Sequence, residues 1–323
     1  MAPIVFIHRL NQTEQQQWLE RLRELLVNET IVLAEQLDAS QIERVEIAIV
    51  ANPDPLTLRR YPKLRWVQSL WAGVEKLVDG FRLLNNERQQ AAQQRIQLVR
   101  LIDPQLAQTM AEAVIAWTLY LHRQMPQYMQ QQRLKQWKPL HCPAARDIRV
   151  SVLGAGELGV CAMRSLINHG YQVNCWSRSA KNITGVHNFN GAEQLTPMLN
   201  QTDILVCLLP LTQQTSGLLN SAVFDHLPKG AKLINFGRGP VVNHADLMEH
   251  LSSGHLEHAV LDVFEHEPLA EDSPLWEHAK ISVLPHISAA TNIHTASAIA
   301  ANNIVVYRDQ GVIPQAVDLQ LGY

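Results

Sequence analysis

Apolar and polar positions along this chain follow two periods that alternate repeatedly. Short runs rich in Val, Ile and Leu, such as 45–50 and 204–209, are typical of strands buried in a parallel sheet. Longer stretches with apolar residues three and four positions apart, such as 12–27 and 104–123, are typical of helices. Because strand and helix patterns alternate along the chain, the sequence predicts an α/β fold with parallel sheets.

The pattern divides the chain into two series of strands. In the first hundred residues the strand candidates are 5–7, 31–34, 45–50, 64–70 and 98–102. From Asp147 onward the candidates are 148–153, 171–176, 204–209, 231–236, 258–264 and 281–284. A last helical pattern near 290–309 precedes a tail that we expect to return to the first series. We therefore predict two doubly wound, Rossmann- or flavodoxin-like domains with a cleft between them.

A glycine-rich turn follows the first strand of the second series, in R-V-S-V-L-G-A-G-E-L-G at 149–159. In a dinucleotide fold, Gly154 permits the tight turn, Gly156 lets the backbone approach a pyrophosphate, and Gly159 allows close helix–strand packing. The next helix begins near Glu157 and Leu158, and its N-terminus would hold the phosphates. The pattern thus predicts a dinucleotide domain at 105–290, with residues 1–104 and 291–323 forming a discontinuous substrate-binding domain. Glu157 is unexpected in such a turn, because its charge would repel a pyrophosphate.

Composition excludes several classes of protein. At 323 residues, two domains of about 150 residues are expected, and a net charge of −3 gives no basic surface for nucleic acid. No apolar run approaches the roughly 18 residues that span a membrane, and the N-terminus lacks a signal-peptide pattern. Four cysteines follow no metal or disulfide spacing: Cys142, Cys161, Cys175 and Cys207. We expect a cytoplasmic protein with a small-molecule partner and no metal.

The end of the second strand of the dinucleotide domain indicates which nucleotide binds. An NAD site usually carries Asp or Glu there, to accept a hydrogen bond from the ribose 2′-hydroxyl. This chain has Ser177, Arg178 and Ser179 instead, with Lys181 close behind. Arginine and serine donors suit a 2′-phosphate, which an acidic residue would repel. We therefore predict NADP(H), with NAD(H) as the alternative.

Three strands of the second series end in polar residues that could share one crevice. Arg238 follows the strand at 231–236, the next strand carries Asp262 near its end and leads to Glu267, and His286 follows the last. Reduction of a 2-keto acid needs an arginine to hold the carboxylate, an acid to protonate the carbonyl oxygen, and a carboxylate to orient that acid. In the first domain, Trp71, Ala72 and Gly73 end a strand and would bind the substrate carboxylate through backbone N–H groups, unless the turn serves chain geometry alone.

These segments resemble the D-isomer-specific 2-hydroxyacid dehydrogenases. The resemblance rests on G-A-G-E-L-G and on segments at 208–220, 224–239, 261–269, 273–276 and 284–287. It implies that Arg238, Glu267 and His286 are catalytic, since the family's glutamate lies five residues after the aspartate at 262. It also implies that Asp262 touches the nicotinamide end of the cofactor, that Leu209, Pro210 and Thr215 line the cofactor, and that the protein is a homodimer through the nucleotide domain.

The resemblance extends to the branch of the family that reduces glyoxylate to glycolate and hydroxypyruvate to D-glycerate with NADPH. A bulkier 2-keto acid is the alternative substrate, which the turn at 71–74 would decide. A non-catalytic, NAD(P)-sensing protein related to corepressors is the alternative from another class; the chain shows no tail or basic patch that would favour it. A formate dehydrogenase is disfavoured because that branch has no glutamate beside its histidine.

Overall fold

The computed structural model describes residues 2–322, which divide into two units. One unit comprises the residues up to Asp103 together with those from Thr291, and the other is Pro104–Ala290. Each unit is built on one parallel sheet with helices, so the predicted α/β class with two doubly wound sheets is confirmed.

The first unit contains a five-stranded parallel sheet of order β2-β1-β3-β4-β5. Its central strand β3 has the sequence I-A-I-V-A and is buried at every position, as expected for a strand covered on both faces. A capping box between Asn11 and Glu14 fixes the start of α1. The elements are β1 (Ile4–His8), α1 (Gln12–Leu25), β2 (Ile31–Leu33), α2 (Ala39–Ile42), β3 (Ile47–Ala51), β4 (Trp66–Ser69), α3 (Glu75–Gln90) and β5 (Gln97–Val99).

The second unit contains a seven-stranded parallel sheet of order β12-β11-β10-β9-β6-β7-β8. Six strands were predicted from the apolar runs; the additional strand is β8, at the edge of the sheet. The elements are α4 (Pro104–His122), α5 (Met125–Arg133), β6 (Arg149–Leu153), α6 (Glu157–Asn168), β7 (Gln172–Ser177), β8 (Val186–Asn190), α7 (Leu195–Leu199), β9 (Ile204–Cys207), α8 (Ser221–Phe224), β10 (Ala231–Asn235), α9 (His244–Ser253), β11 (Leu256–Leu261) and β12 (Ile281–Val283).

The chain returns to the first unit through α10 (Ile293–Gln310), which begins after the capping side chain of Asn292. Apolar side chains of α10, including Ile304 and Tyr307, join the core of the first unit. The tail then contacts β5, where the backbone N–H of Val317 donates to the carbonyl of Leu98 at 2.7 Å. In the described part of the chain, no helix combines the length and the apolarity that crossing a bilayer requires.

Candidate active site

The three glycines after β6 differ in what the structure requires of them. Gly154 has a φ of 110°, which residues with a side chain rarely adopt. A Cβ on Gly159 would lie 1.9 Å from the carbonyl oxygen of Gly154, so only glycine permits this contact between α6 and the turn. A Cβ on Gly156 would meet nothing within 4 Å. Packing within the protein therefore does not explain Gly156, whereas the approach of a ligand to the backbone would.

The N-terminus of α6 is suited to an anion. Gly156 is the N-cap and has no side chain to satisfy the first N–H groups of this 12-residue helix. Glu157 and Leu158 follow; Glu157 is exposed to solvent and Leu158 is half-buried. The open space at Gly156 and the uncapped helix fit the pyrophosphate of a dinucleotide.

The end of β7 lies beside this turn, because the N–H of Gly154 donates to the carbonyl of Trp176 at 2.9 Å. Ser177 is buried, and its hydroxyl donates to the carbonyl of Ser179 at 2.8 Å. Arg178, Ser179 and Lys181 are exposed. No carboxylate occurs between positions 177 and 181, so the surroundings of this strand end favour a phosphate over a free ribose hydroxyl.

The loop after β9, which carries Leu209, Pro210 and Thr215, contacts the loop after β10. A Cβ on Gly237 would lie 2.6 Å from the carbonyl oxygen of Leu209, so this loop packs against the one after β10. The hydroxyl of Thr215 donates to the carbonyl of Pro210 at 2.6 Å and accepts from the N–H of Thr212 at 2.8 Å. Thr215 thus closes its own loop, and Leu209 is buried beneath it.

Register places three strand ends at the same edge of the sheet. Asn235, the last residue of β10, is paired with Leu261 of β11, and Leu261 is paired with Val283 of β12. The residues that follow these strands therefore leave the sheet side by side. Arg238, Glu267 and His286 all lie on these three loops.

Glu267 and His286 are in direct contact. Nδ1 of His286 lies 2.7 Å from Oε2 of Glu267, and Oε1 of Glu267 accepts a hydrogen bond from the N–H of Phe264 at 2.9 Å. The imidazole remains accessible, with 52% of its side chain exposed. A carboxylate held by backbone on one side and by imidazole on the other is an arrangement that orients a general acid.

Arg238 is half-buried on the loop after β10, and its Nη1 donates to the carbonyl of Gly237 at 2.8 Å. The side chain of Asn235 shapes this loop by accepting from the N–H of Gly237 at 3.2 Å and donating to the carbonyl of Arg238 at 3.1 Å. Gly239 lies against the backbone of Phe264: a Cβ there would be 2.1 Å from the Phe264 carbonyl carbon. The loops that carry Arg238 and Glu267 are thus in contact.

Asp262 is buried, and both of its carboxylate oxygens accept backbone hydrogen bonds from the segment after His286. The predicted contact between Asp262 and the nicotinamide stays a prediction.

The turn after β4 belongs to the first unit. The N–H of Trp71 donates to the hydroxyl of Ser69 at 3.1 Å, so it does not contribute to a run of available N–H groups. Ala72 and Gly73 follow on the approach to α3, and both are half-buried. The indole Nε1 of Trp71 is buried and has no hydrogen-bond partner among the described residues.

The two cysteines in strands are buried thiols. Burial raises the pKa of Cys175 to about 11 and that of Cys207, at the end of β9, to about 12. Both thiols are therefore neutral near pH 7 and act as small apolar core residues. All four cysteines, including Cys142 and Cys161, are free.

Sequence reasoning missed Asn235 and Phe264, which hold the loops of Arg238 and Glu267. Asn235 carries a weak signal, because it is a polar residue that closes the apolar strand A-K-L-I-N. Phe264 acts through its backbone, for which the sequence has no signal.

The sequence of this chain is similar to those of known proteins. Residues 115–288 match the family model described as D-isomer specific 2-hydroxyacid dehydrogenase, NAD binding domain. Glyoxylate/hydroxypyruvate reductase A of Serratia proteamaculans is 34% identical over 320 residues, or 99% of each chain.

Solved structures from the same family match this chain over its whole length. A D-isomer specific 2-hydroxyacid dehydrogenase from Xanthobacter autotrophicus Py2, in complex with NADPH and MES, is 35% identical, with a TM-score of 0.88 over 100% of this chain and 99% of that one. An NADPH-dependent glyoxylate/hydroxypyruvate reductase from Sinorhizobium meliloti, in complex with NADP and sulfate, is 30% identical, with a TM-score of 0.86 over 100% of both chains.

Proposed function

The chain belongs to the D-isomer specific 2-hydroxyacid dehydrogenases, which are NAD(P)-dependent oxidoreductases, and on that premise we propose that it reduces glyoxylate to glycolate and hydroxypyruvate to D-glycerate with NADPH. The contact between His286 and Glu267, beside the loop of Arg238, carries this proposal. The relatives from Serratia and Sinorhizobium are named glyoxylate/hydroxypyruvate reductases, which supports the choice of substrates.

The nucleotide site fits NADPH. The N-terminus of α6, with Gly154, Gly156 and Gly159, would hold the pyrophosphate, and Arg178 with Lys181 would hold the 2′-phosphate. Ser177 and Ser179 would shape or donate to that phosphate site, while Leu209, Pro210 and Thr215 would line the cofactor. When bound, NADPH supplies the hydride that reduces the carbonyl carbon. The complexes of two relatives with NADPH and NADP support this choice of cofactor.

The catalytic residues would divide the remaining work among themselves. The guanidinium of Arg238 binds the substrate carboxylate and polarises the neighbouring carbonyl. Glu267 accepts from Nδ1 of His286 and directs Nε2 away from itself. Nε2 then gives its proton to the carbonyl oxygen as the alcohol forms, and Glu267 stabilises the protonated imidazole that precedes this step.

The first unit would serve as the substrate-binding domain and the second as the dinucleotide-binding domain. The N–H groups of Ala72 and Gly73 are the candidates for a further contact with the substrate carboxylate. We assign the protein to the cytoplasm, since its four cysteines are free thiols within the described chain.

A homodimer through the second unit is supported by exposed apolar side chains on α5 and the segment after it. They are Met125, Tyr128, Met129, Leu134 and Trp137. Burying such a set of side chains against another copy would be favourable.

A panel of 2-keto acids with both cofactors tests the proposal. We expect a higher kcat/KM for glyoxylate and hydroxypyruvate with NADPH than for pyruvate or phenylpyruvate. Preference for pyruvate or phenylpyruvate would leave the chemistry intact and overturn the choice of substrate. Tight NADPH binding without turnover of any 2-keto acid would instead indicate a nucleotide-sensing protein.

A further inference from the structure

The backbone of His286 adopts a conformation that histidine does not favour by itself. Its φ is 55°, in the left-handed region. A residue with a Cβ is strained there, and such a conformation persists only where surrounding groups maintain it. The orientation of the proposed proton donor therefore depends on whatever holds the segment around it.

Asp262 holds that segment through two hydrogen bonds. Its Oδ1 accepts from the N–H of Ile287 at 2.7 Å, and its Oδ2 accepts from the N–H of Ser288 at 2.9 Å. Only 1% of Asp262 is exposed. Hydrogen bonds to a carboxylate are stronger than neutral ones, and burial limits competition from water. The two peptide N–H groups that follow His286 are thus fixed to one side chain.

Asp262 is itself fixed to the sheet. It comes directly after β11, and its N–H donates to the carbonyl of Asn235 at 3.1 Å, which extends the pairing of β10 and β11. Two residues later, the N–H of Phe264 holds Glu267. The end of β11 therefore holds both members of the pair, with Glu267 bound to Phe264 and the backbone after His286 bound to Asp262.

We propose that Asp262 is a positioning residue that maintains the left-handed backbone of His286 and thereby keeps its imidazole on Glu267. The inference deepens the proposed function and rests on it, because it gives Asp262 a part in proton donation by His286. Without the carboxylate, the N–H groups of Ile287 and Ser288 lose their acceptors. The segment then relaxes, and the imidazole leaves its position on Glu267.

The first test does not depend on activity. In protein labelled with ¹⁵N-histidine, the Nδ1 signal of His286 is assigned by its loss in H286A. We expect D262A to move this signal toward that of an exposed histidine such as His226, and D262N, which keeps one acceptor oxygen, to move it less. An unchanged signal in D262A would overturn the proposal. D203N is the matched control, because Asp203 also accepts from a backbone N–H, that of Arg149 at 2.8 Å.

The second test is a double-mutant cycle in the full-length protein. We expect D262A to lower kcat by about 10- to 100-fold when His286 is present, because small misplacements of a catalytic group are costly. In the H286A background the same change should cost less than about threefold, since residues that act as a unit are not additive. D262N replaces D262A in the cycle if D262A does not fold.

An equal loss in both backgrounds would overturn the proposal, because Asp262 would then act independently of His286. Failure of the proposed function is recognised separately, since the wild-type protein would then reduce no 2-keto acid. The histidine signal would still report whether Asp262 positions His286.

Discussion

Nδ1 of His286 lies 2.7 Å from Oε2 of Glu267, on a loop that follows a different strand of the same sheet. The second oxygen of this carboxylate is bound to the N–H of Phe264, so the carboxylate is held in one orientation. The imidazole is consequently oriented through Nδ1, and Nε2 is the nitrogen that can meet a substrate.

Arg178 is expected to determine the preference for NADPH. R178D replaces a side chain that would donate hydrogen bonds to the 2′-phosphate with a carboxylate. The carboxylate repels the phosphate and can accept a hydrogen bond from a ribose hydroxyl. The ratio of kcat/KM with NADPH to kcat/KM with NADH should fall by about 10- to 100-fold, from the loss of a charged hydrogen bond. R164D, at an exposed position of α6, is the control and should leave the ratio unchanged. An unaltered ratio in R178D would show that Arg178 has no part in cofactor choice.

Glu157 is expected to weaken cofactor binding. It is the first residue of α6 and is exposed beside the predicted pyrophosphate site. Its negative charge therefore repels the phosphates through the intervening solvent. E157Q should lower the Kd for NADPH by about two- to fivefold, most clearly at low ionic strength where screening is weak. Fluorescence titration at two salt concentrations measures the effect, with E249Q on α9 as the control. Equal or weaker binding by E157Q at both concentrations would contradict the prediction.

The glycine turn and the strand ends could be predicted because each has a local cause. Three glycines between an apolar strand and a helix have few explanations, and parallel strands bring their carboxyl ends to one edge whatever the loops do. The edge strand β8 was missed because V-H-N-F-N carries polar residues at three of its five positions. An edge strand is paired on one side only and does not need a continuous apolar run.

The connections around His286 could not be predicted for a different reason. Asp262 accepts hydrogen bonds from N–H groups 25 and 26 positions along the chain, and Gly239 packs on the backbone of Phe264. These contacts depend on the paths of loops that no period or spacing encodes. The predicted run of N–H groups at the turn after Leu70 loses Trp71 for a local reason, since the hydroxyl of Ser69, two residues earlier, accepts from the N–H of Trp71.

The exposed apolar side chains on α5 and the segment after it are expected to mediate dimerisation. Trp137 is fully exposed, and the segment is ordered by a hydrogen bond from the N–H of Leu140 to the hydroxyl of Tyr128 at 2.9 Å. W137E should weaken a dimer, because a charge would be buried without a partner. Sedimentation velocity at micromolar concentration measures the fraction of dimer. V27E, which changes an exposed apolar residue of the first unit, is the control and should leave that fraction unchanged. A wild-type protein that sediments as a monomer would contradict the homodimer.

His258 is expected to make the fold acid-sensitive. Burial lowers its pKa from 6.5 to about 4, and its Nε2 lies 3.0 Å from the hydroxyl of Ser282. Because the folded state resists protonation, this group's contribution to stability is complete above pH 6.5 and is lost as the pH falls toward 4. The loss amounts to about 2 kcal/mol between pH 7.5 and pH 5.

Denaturant unfolding at pH 7.5 and pH 5 measures this contribution. The free energy of unfolding of H258Q should change less between the two pH values than that of the wild-type protein, by about 2 kcal/mol. H226Q removes an exposed histidine and should retain the wild-type dependence. The same dependence in H258Q as in the wild-type protein would rule out His258 as its source.

The most direct test of the account is the effect of H286A on turnover and on cofactor binding in the same preparation. Reduction of glyoxylate and hydroxypyruvate by NADPH should fall by about 10²- to 10⁴-fold in kcat, because a positioned general acid contributes that much. The Kd for NADPH should remain near the wild-type value, since His286 lies on the loop after β12 and the glycine turn follows β6. A fall of less than tenfold in kcat would contradict the assignment of His286 as the proton donor.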